Sequence, residues 1–205
     1  MKTIFIPAKA KLNIPESKLK IFLEKLPKNL VIAYSIQYKD FALRLKKILE
    51  KNHRILKTVQ VLGCSKPNLP KNTQAILLVS DGKFHALSLN YETKIPVYII
   101  NSTLERVSNQ NIQEFGKKQK ASYLNFLNSE KIGVIISTKP GQQNLKKAID
   151  LKRKLKNKSA YLFISNNIDN QEFQNFGLKA WINTACPRLD MNDASIINID
   201  KLNYD

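Results

Sequence analysis

Gly133-Val134-Ile135-Ile136-Ser137-Thr138-Lys139-Pro140-Gly141-Gln142 is the stretch whose reading decides the fold. Its first six residues are mostly aliphatic or β-branched and nearly unbroken, as in a strand covered on both faces. Pro140-Gly141 interrupts that run with a turn. Beyond the turn, Leu145, Ala148, Ile149 and Leu155 recur at helical spacing, and residues 160–164 are again strand-like. A strand, a helix and a second strand in this order form a βαβ unit, whose crossover is right-handed and whose strands are parallel.

Working outward, the same alternation covers the chain. Further strand candidates are residues 3–7, 30–35, 59–62, 75–80, 97–101 and 180–183, all apolar and short. Leu19, Phe22, Leu23 and Leu26 fall at i, i+3, i+4 and i+7 after Pro15, and Phe41, Ala42, Leu45, Ile48 and Leu49 form a second helical stripe. A third helix carries Ile112, Phe115, Tyr123, Phe126 and Leu127, and the strand at Gly133 begins soon after it. The prediction is an α/β fold of two similar units, residues 1–130 and 131–205, each a mainly parallel sheet flanked by helices. Each unit has a cysteine, Cys64 or Cys186, just past a strand's carboxyl end, where ligands collect in parallel sheets.

Composition narrows the function. Hydrophobic residues make up 43% of the 205, which excludes a disordered tail. No apolar run approaches the roughly 20 residues needed to span a bilayer, and the start of the chain is no signal peptide, so no membrane role and a cytoplasmic location are expected. Lys and Arg outnumber Asp and Glu by 34 to 16, a net charge of +18. That surplus steers acidic partners, nucleic acid among them, or simply solvates a lysine surface. A nucleic-acid-binding module lacks support: there is no helix-turn-helix signal, zinc-ligand pair or aromatic ribonucleoprotein strand. A nucleotide-binding enzyme lacks its glycine loop, because neither G-x-x-x-x-G-K-[ST] nor G-x-G-x-x-G occurs. A hydrolase would need a histidine beside a nucleophile, and His53 and His85 are the only two. Neither cysteine sits in a C-x-x-C pair, so a zinc site of local spacing is excluded and two buried free thiols remain the plain alternative.

Four segments carry a resemblance. Val59-Gln60-Val61-Leu62-Gly63-Cys64, Asp81-Gly82-Lys83-Phe84-His85-Ala86-Leu87, the quoted run to Gln142, and Asn183-Thr184-Ala185-Cys186-Pro187-Arg188 together resemble, in order and spacing, the diphthamide synthase family. The resemblance implies a [4Fe–4S] cluster held by three cysteines, one from each of three repeated α/β domains, with S-adenosylmethionine at the open iron. It implies transfer of a 3-amino-3-carboxypropyl group, as a radical, to a histidine of translation elongation factor 2. Cys64 and Cys186 are carried over as cluster ligands. Arg188 is a candidate for gripping a carboxylate, or for a salt bridge at the sheet end. Lys139 and Gln142, on a turn opening a helix where backbone N–H groups favour anions, are candidates for the methionine carboxylate. Asp81, Gly82, His85 and Gln37 complete the candidate set; Gly82 is equally read as a turn glycine supplying a positive φ.

These 205 residues resemble the family's second and third domains. The expectation is therefore that the first domain, and the third cysteine, come from a separate polypeptide, making this chain part of a split enzyme that is inactive alone. A non-catalytic accessory subunit in a homo- or heterodimer is the alternative.

Overall fold

The computed structural model describes residues 3, 4, 6, 8–62, 67–191 and 193–202. It divides into two compact units, Met1–Ile112 and Gln113–Asp205.

The first unit contains α1 (Glu16–Glu24), β1 (Asn29–Tyr34), α2 (Lys39–Leu49), β2 (Arg54–Gln60), β3 (Ala75–Val79), α3 (Lys83–Thr93), β4 (Val97–Ile100) and β5 (Leu104–Arg106). Its sheet has the order β2-β1-β3-β4-β5; β5 is antiparallel to β4 and the other pairs are parallel. All five residues of β3 are buried, which accounts for their unbroken apolar run at the middle of the sheet. Edge strand β2 interleaves Lys57 with half-buried Ile55 and Val59, and an edge charge discourages pairing with another chain. Phe41, Ala42, Leu45 and Leu49 of α2 form one stripe against Leu30, Ile32 and Leu77, and Leu19 of α1 joins this core. Each such leucine removed from water contributes about 1.5–3 kcal/mol.

α4 (Asn109–Asn128) leads into the second unit, which holds β6 (Lys131–Ser137), α5 (Leu145–Lys154), β7 (Ser159–Ser165), β8 (Ala180–Asn183) and β9 (Ile196–Asn198). The sheet is fully parallel with the order β7-β6-β8-β9. Phe126 of α4 and Ala148 and Leu151 of α5 pack on one face against Ile132, Val134, Ile136 and Ile182. Lys158 Nζ donates to the carbonyls of Leu127 and Ser129 at 2.8 and 2.7 Å, closing the end of α4 with the charge its dipole prefers. On the other face Trp181 stacks on Phe173 with centroids 4.3 Å apart. Gly133 makes room for that indole: a Cβ there would lie 2.1 Å from the Trp181 ring.

Several local expectations need correction. Among the described residues of the expected strand at 3–7, Thr3, Ile4 and Ile6 form no strand, and Ile4 and Ile6 are each 85% exposed. Aliphatic residues alone do not make a strand without a neighbour to pair with. The edge strand expected at 59–62 instead runs from Arg54 to Gln60. α3, β5 and β9 were not read from the sequence. In α3 the buried Ala86, Leu87, Leu89 and Asn90 blur the helical stripe, and β5 and β9 are only three residues each. The unit boundary was placed after α4, whereas the compact division falls inside its first turn. The reason is that Phe126, Gln119 and Asn125 of α4 all bond or pack within the second unit.

Candidate functional site

In the second unit the chain leaves β6 toward β7 on one side and returns to β8 on the other. The gap between β6 and β8 is thus a topological switch point, where ligands bind parallel sheets. A cavity of about 330 Å³ opens there, lined by Ser137, Lys139, Gln142, Asn166, Ile168, Asn170, Cys186, Arg188 and Leu189. Four residues predicted from sequence, Cys186, Arg188, Gln142 and Lys139, therefore share one pocket.

Cys186 is a free thiol, half-buried, on the turn after β8. That turn is held by buried polar side chains. Asn183 Nδ2 donates to the Cys186 carbonyl at 2.8 Å, and Asn183 Oδ1 accepts from Ala185 N at 2.8 Å. Thr184 Oγ1 donates to the Ile135 carbonyl at 2.7 Å, while the Thr184 carbonyl accepts from Asn144 Nδ2 at 2.6 Å. Lys139, Pro140, Gly141 and Gln142 form a tight turn, closed by a 3.0 Å hydrogen bond from Gln142 N to the Lys139 carbonyl, with Gly141 at φ 79. Pro at the second and Gly at the third position are what a type II turn requires.

This turn corrects one expectation. The backbone N–H groups of Lys139 and Gln142 are not free for an anion, since Lys139 N donates to Ser137 Oγ at 3.1 Å and Gln142 N closes the turn. Only their side chains are available. The pocket still suits a negative group, because Lys139 and Arg188 are exposed cations and no acidic residue is among the lining side chains. Asn170 also lines it, and among the described residues its buried Oδ1 has no hydrogen-bond partner. Asn166 and Asn170 were missed in the sequence. Their signal was their place in the loop after β7, itself a strand carboxyl end.

The remaining candidates lie in the first unit. Cys64 falls outside the described residues. Asp81 and Gly82 follow β3, and Asp81 accepts a hydrogen bond from the Tyr38 hydroxyl. Burial, then the hydrogen bond to Asp81 and the charge beside it, push the Tyr38 phenol up to about 12. Gly82 is not a positive-φ glycine: it has φ −108 at the start of α3, and a Cβ there would meet nothing within 4 Å. Extended backbone is open to any residue, so the turn reading of Gly82 fails. His85 sits in the first turns of α3, edge-on to Phe84 at 5.5 Å. Gln37 lies in a short 3₁₀ turn after β1, and its carbonyl accepts from Ala10 N at 3.0 Å.

Comparison with known proteins follows this geometry. The family model for the diphthamide synthesis protein matches residues 1–196. The chain belongs to the diphthamide synthesis protein family. Relatives within that family include the 2-(3-amino-3-carboxypropyl)histidine synthases of Pyrococcus horikoshii, 27% identical over 93% of this chain, and of Methanocaldococcus jannaschii, 30% identical over 94%. Subunit 1 of the corresponding synthase of Yarrowia lipolytica is 26% identical over 65% of the chain and 32% of its own length. The chain spans about three-fifths of the two archaeal proteins, 60% and 57% of their lengths. The fold matches that of Dph2 from Pyrococcus horikoshii, with TM-score 0.78 at 22% identity over 94% of this chain and 62% of that one. A second crystal structure of that protein, with a 4Fe-4S cluster, superposes with TM-score 0.72 at 22% identity over 91% of this chain and 59% of that one. Among the described residues, no helix is long and apolar enough to cross a membrane.

Proposed function

We propose that this chain serves the first step of diphthamide biosynthesis, transfer of the 3-amino-3-carboxypropyl group from S-adenosylmethionine to a histidine of translation elongation factor 2. The observation that carries the reading is the one pocket that joins a half-buried thiol to two cations and the side-chain amides of Gln142 and Asn170.

The residues fit the groups this reaction needs. Cys186 offers a soft thiolate, the ligand type that iron–sulfur clusters take. Among the described residues no three His, Cys, Asp or Glu side chains gather to hold a metal. In this reading Cys64 is the second ligand and a thiolate from outside these 205 residues is the third, supplied by a partner polypeptide. When bound, the cluster supplies the electron that breaks a carbon–sulfur bond of S-adenosylmethionine. The protein's side chains do the rest. Arg188 and Lys139 hold the methionine carboxylate, Arg188 through a paired, charge-assisted contact. The Gln142 amide oxygen takes the ammonium group, with the Asn170 side chain beside it. Holding both ends of the amino acid would fix its position relative to Cys186, which lines the same pocket. Asp81, Gly82, His85 and Gln37 remain candidates carried by the first unit.

The test is anaerobic reconstitution with iron and sulfide, with and without the cysteine-bearing partner. It is followed by transfer of carboxyl-labelled S-adenosylmethionine to elongation factor 2. Full cluster absorbance and transfer are expected only with both chains, and neither with Cys186→Ala. Undiminished iron uptake by Cys186→Ala would reject the assignment.

A further inference from the structure

Behind the Cys186 turn lies a buried polar chain that no sequence motif marks. Asp190, whose side chain is 1% exposed, ends the 3₁₀ turn that begins at Pro187. Its Oδ2 accepts from Asn198 Nδ2 at 2.5 Å, Lys201 Nζ at 2.9 Å and Gln119 Nε2 at 3.1 Å. Lys201 Nζ also donates to Gln119 Oε1 at 2.6 Å, so the carboxylate, the ammonium and the amide form a closed cluster. Asn198 passes the arrangement on. Its second Nδ2 proton goes to the Pro187 carbonyl at 3.0 Å, and its Oδ1 accepts from Asn183 Nδ2 at 2.6 Å. Asn183 then grips the Cys186 carbonyl and the Ala185 amide, both at 2.8 Å.

The direction of this chain is set by two acceptors, the Asp190 carboxylate and the Pro187 carbonyl. A carboxylate only accepts, so it turns the NH₂ of Asn198 toward itself and the oxygen of Asn198 toward Asn183. Without the carboxylate, only the Pro187 carbonyl and the Asn183 NH₂ oppose a turned-over Asn198, whose oxygen would face the first and whose NH₂ would face the second. Both contacts are repulsive. Buried polar networks of this kind either lock one arrangement or fail together.

We propose that Asp190 and Asn198 are positioning residues for the reactive turn: the Asp190–Lys201–Gln119 cluster, with Asp190 and Gln119 buried and Lys201 half-buried, orients Asn198 and Asn183, which fix the backbone on both sides of Cys186. This rests on reading Cys186 as the reactive position, but needs neither iron nor S-adenosylmethionine.

The experiment uses the full chain without iron. Cys186 and Cys64 are alkylated with iodoacetamide, and each is followed at peptide resolution by mass spectrometry, Cys64 serving as reference. Asn198→Val keeps a strand-compatible side chain and leaves Asp190 with Lys201 and Gln119; Asp190→Asn weakens one of the two acceptors. In both, release of the turn exposes the half-buried thiol, and the Cys186 rate relative to Cys64 rises by about three- to tenfold. An unchanged ratio in either folded variant overturns the proposal, whereas a merely structural role would shift both cysteines together. Should either variant fail to fold, hydrogen exchange of the Ala185 amide in the unaltered chain decides. Slow exchange supports the clamp, and exchange at the rate of an open loop rejects it. Failure to take up a cluster would count against the proposed function and leave this inference standing.

Discussion

The two units share the order of four parallel strands, β2-β1-β3-β4 and β7-β6-β8-β9, yet use its centre differently. β1 pairs with β3 as β6 pairs with β8, so Val31 opposite Ile76 matches Gly133 opposite Trp181, and Ala33 opposite Leu78 matches Ile135 opposite Asn183. Three residues beyond Leu78 stands Asp81; three beyond Asn183 stands Cys186. In the first unit the strand ends are tied together by the hydrogen bond from Tyr38 to Asp81. In the second, the same place carries a thiol beside a cavity of about 330 Å³. The fully buried Leu78 is replaced by the almost equally buried Asn183, and the polar network that holds the cysteine turn starts from that exchange. The repeat therefore supplies the frame, and departures from the repeat supply the chemistry.

The strongest way to break this comparison is to remove the thiol. Cys186→Ala is expected to lower group transfer by more than the ~10–100-fold typical of losing an outer-shell partner of a metal ligand, measured with labelled S-adenosylmethionine. Asp81→Ala is expected to leave cluster absorbance in place.

Next comes the core. Gly133→Ala forces a methyl group into the Trp181 ring, and overpacking of this severity is expected to cost about 3 kcal/mol, read as a lower urea midpoint. An unchanged midpoint would mean that the indole moves freely.

Installing the first unit's residue, Asn183→Leu, tests the exchange directly. It leaves Asn198 Oδ1 and the Cys186 carbonyl without their donor, and a cost of about 2 kcal/mol is expected by the same denaturation.

The smallest effect belongs to Tyr38→Phe, about 1 kcal/mol at neutral pH for one hydrogen bond. Its pH dependence is distinctive. Burial and then Asp81 push the folded phenol up to about 12 from its ordinary 10.0. Its contribution is therefore complete below pH 10 and fades as pH rises through about 12. The stability gap between the unaltered chain and Tyr38→Phe should narrow across that window, and a constant gap would mean the raised value is absent.

Much of this was legible before any coordinates. Central strands such as β1, β3 and β6 announced themselves because both faces are covered and their middle residues are nearly all apolar. Cys186 and Arg188 were legible because the Asn-Thr-Ala-Cys-Pro-Arg segment resembles a known signature. The misses have physical causes. Residues 3–7 have strand composition, but among those described none pairs with a neighbour. β9 is too short for periodicity, although it delivers Asn198. Asn170 looks like any polar loop residue until its oxygen is found buried without a partner among the described residues.

What the sequence determined by itself was the α/β class, the repeat of two units and the family, because alternation and motif spacing are properties of neighbours along the chain. What only the tertiary structure decided was the company each residue keeps. Lys139, Asn170 and Cys186 meet because β6, β7 and β8 end on the same side of a parallel sheet. Asp190 reaches Lys201 and Gln119 because α4 packs back onto the second sheet. Those meetings are set by strand order and helix packing, which join residues tens of positions apart, beyond the reach of local pattern.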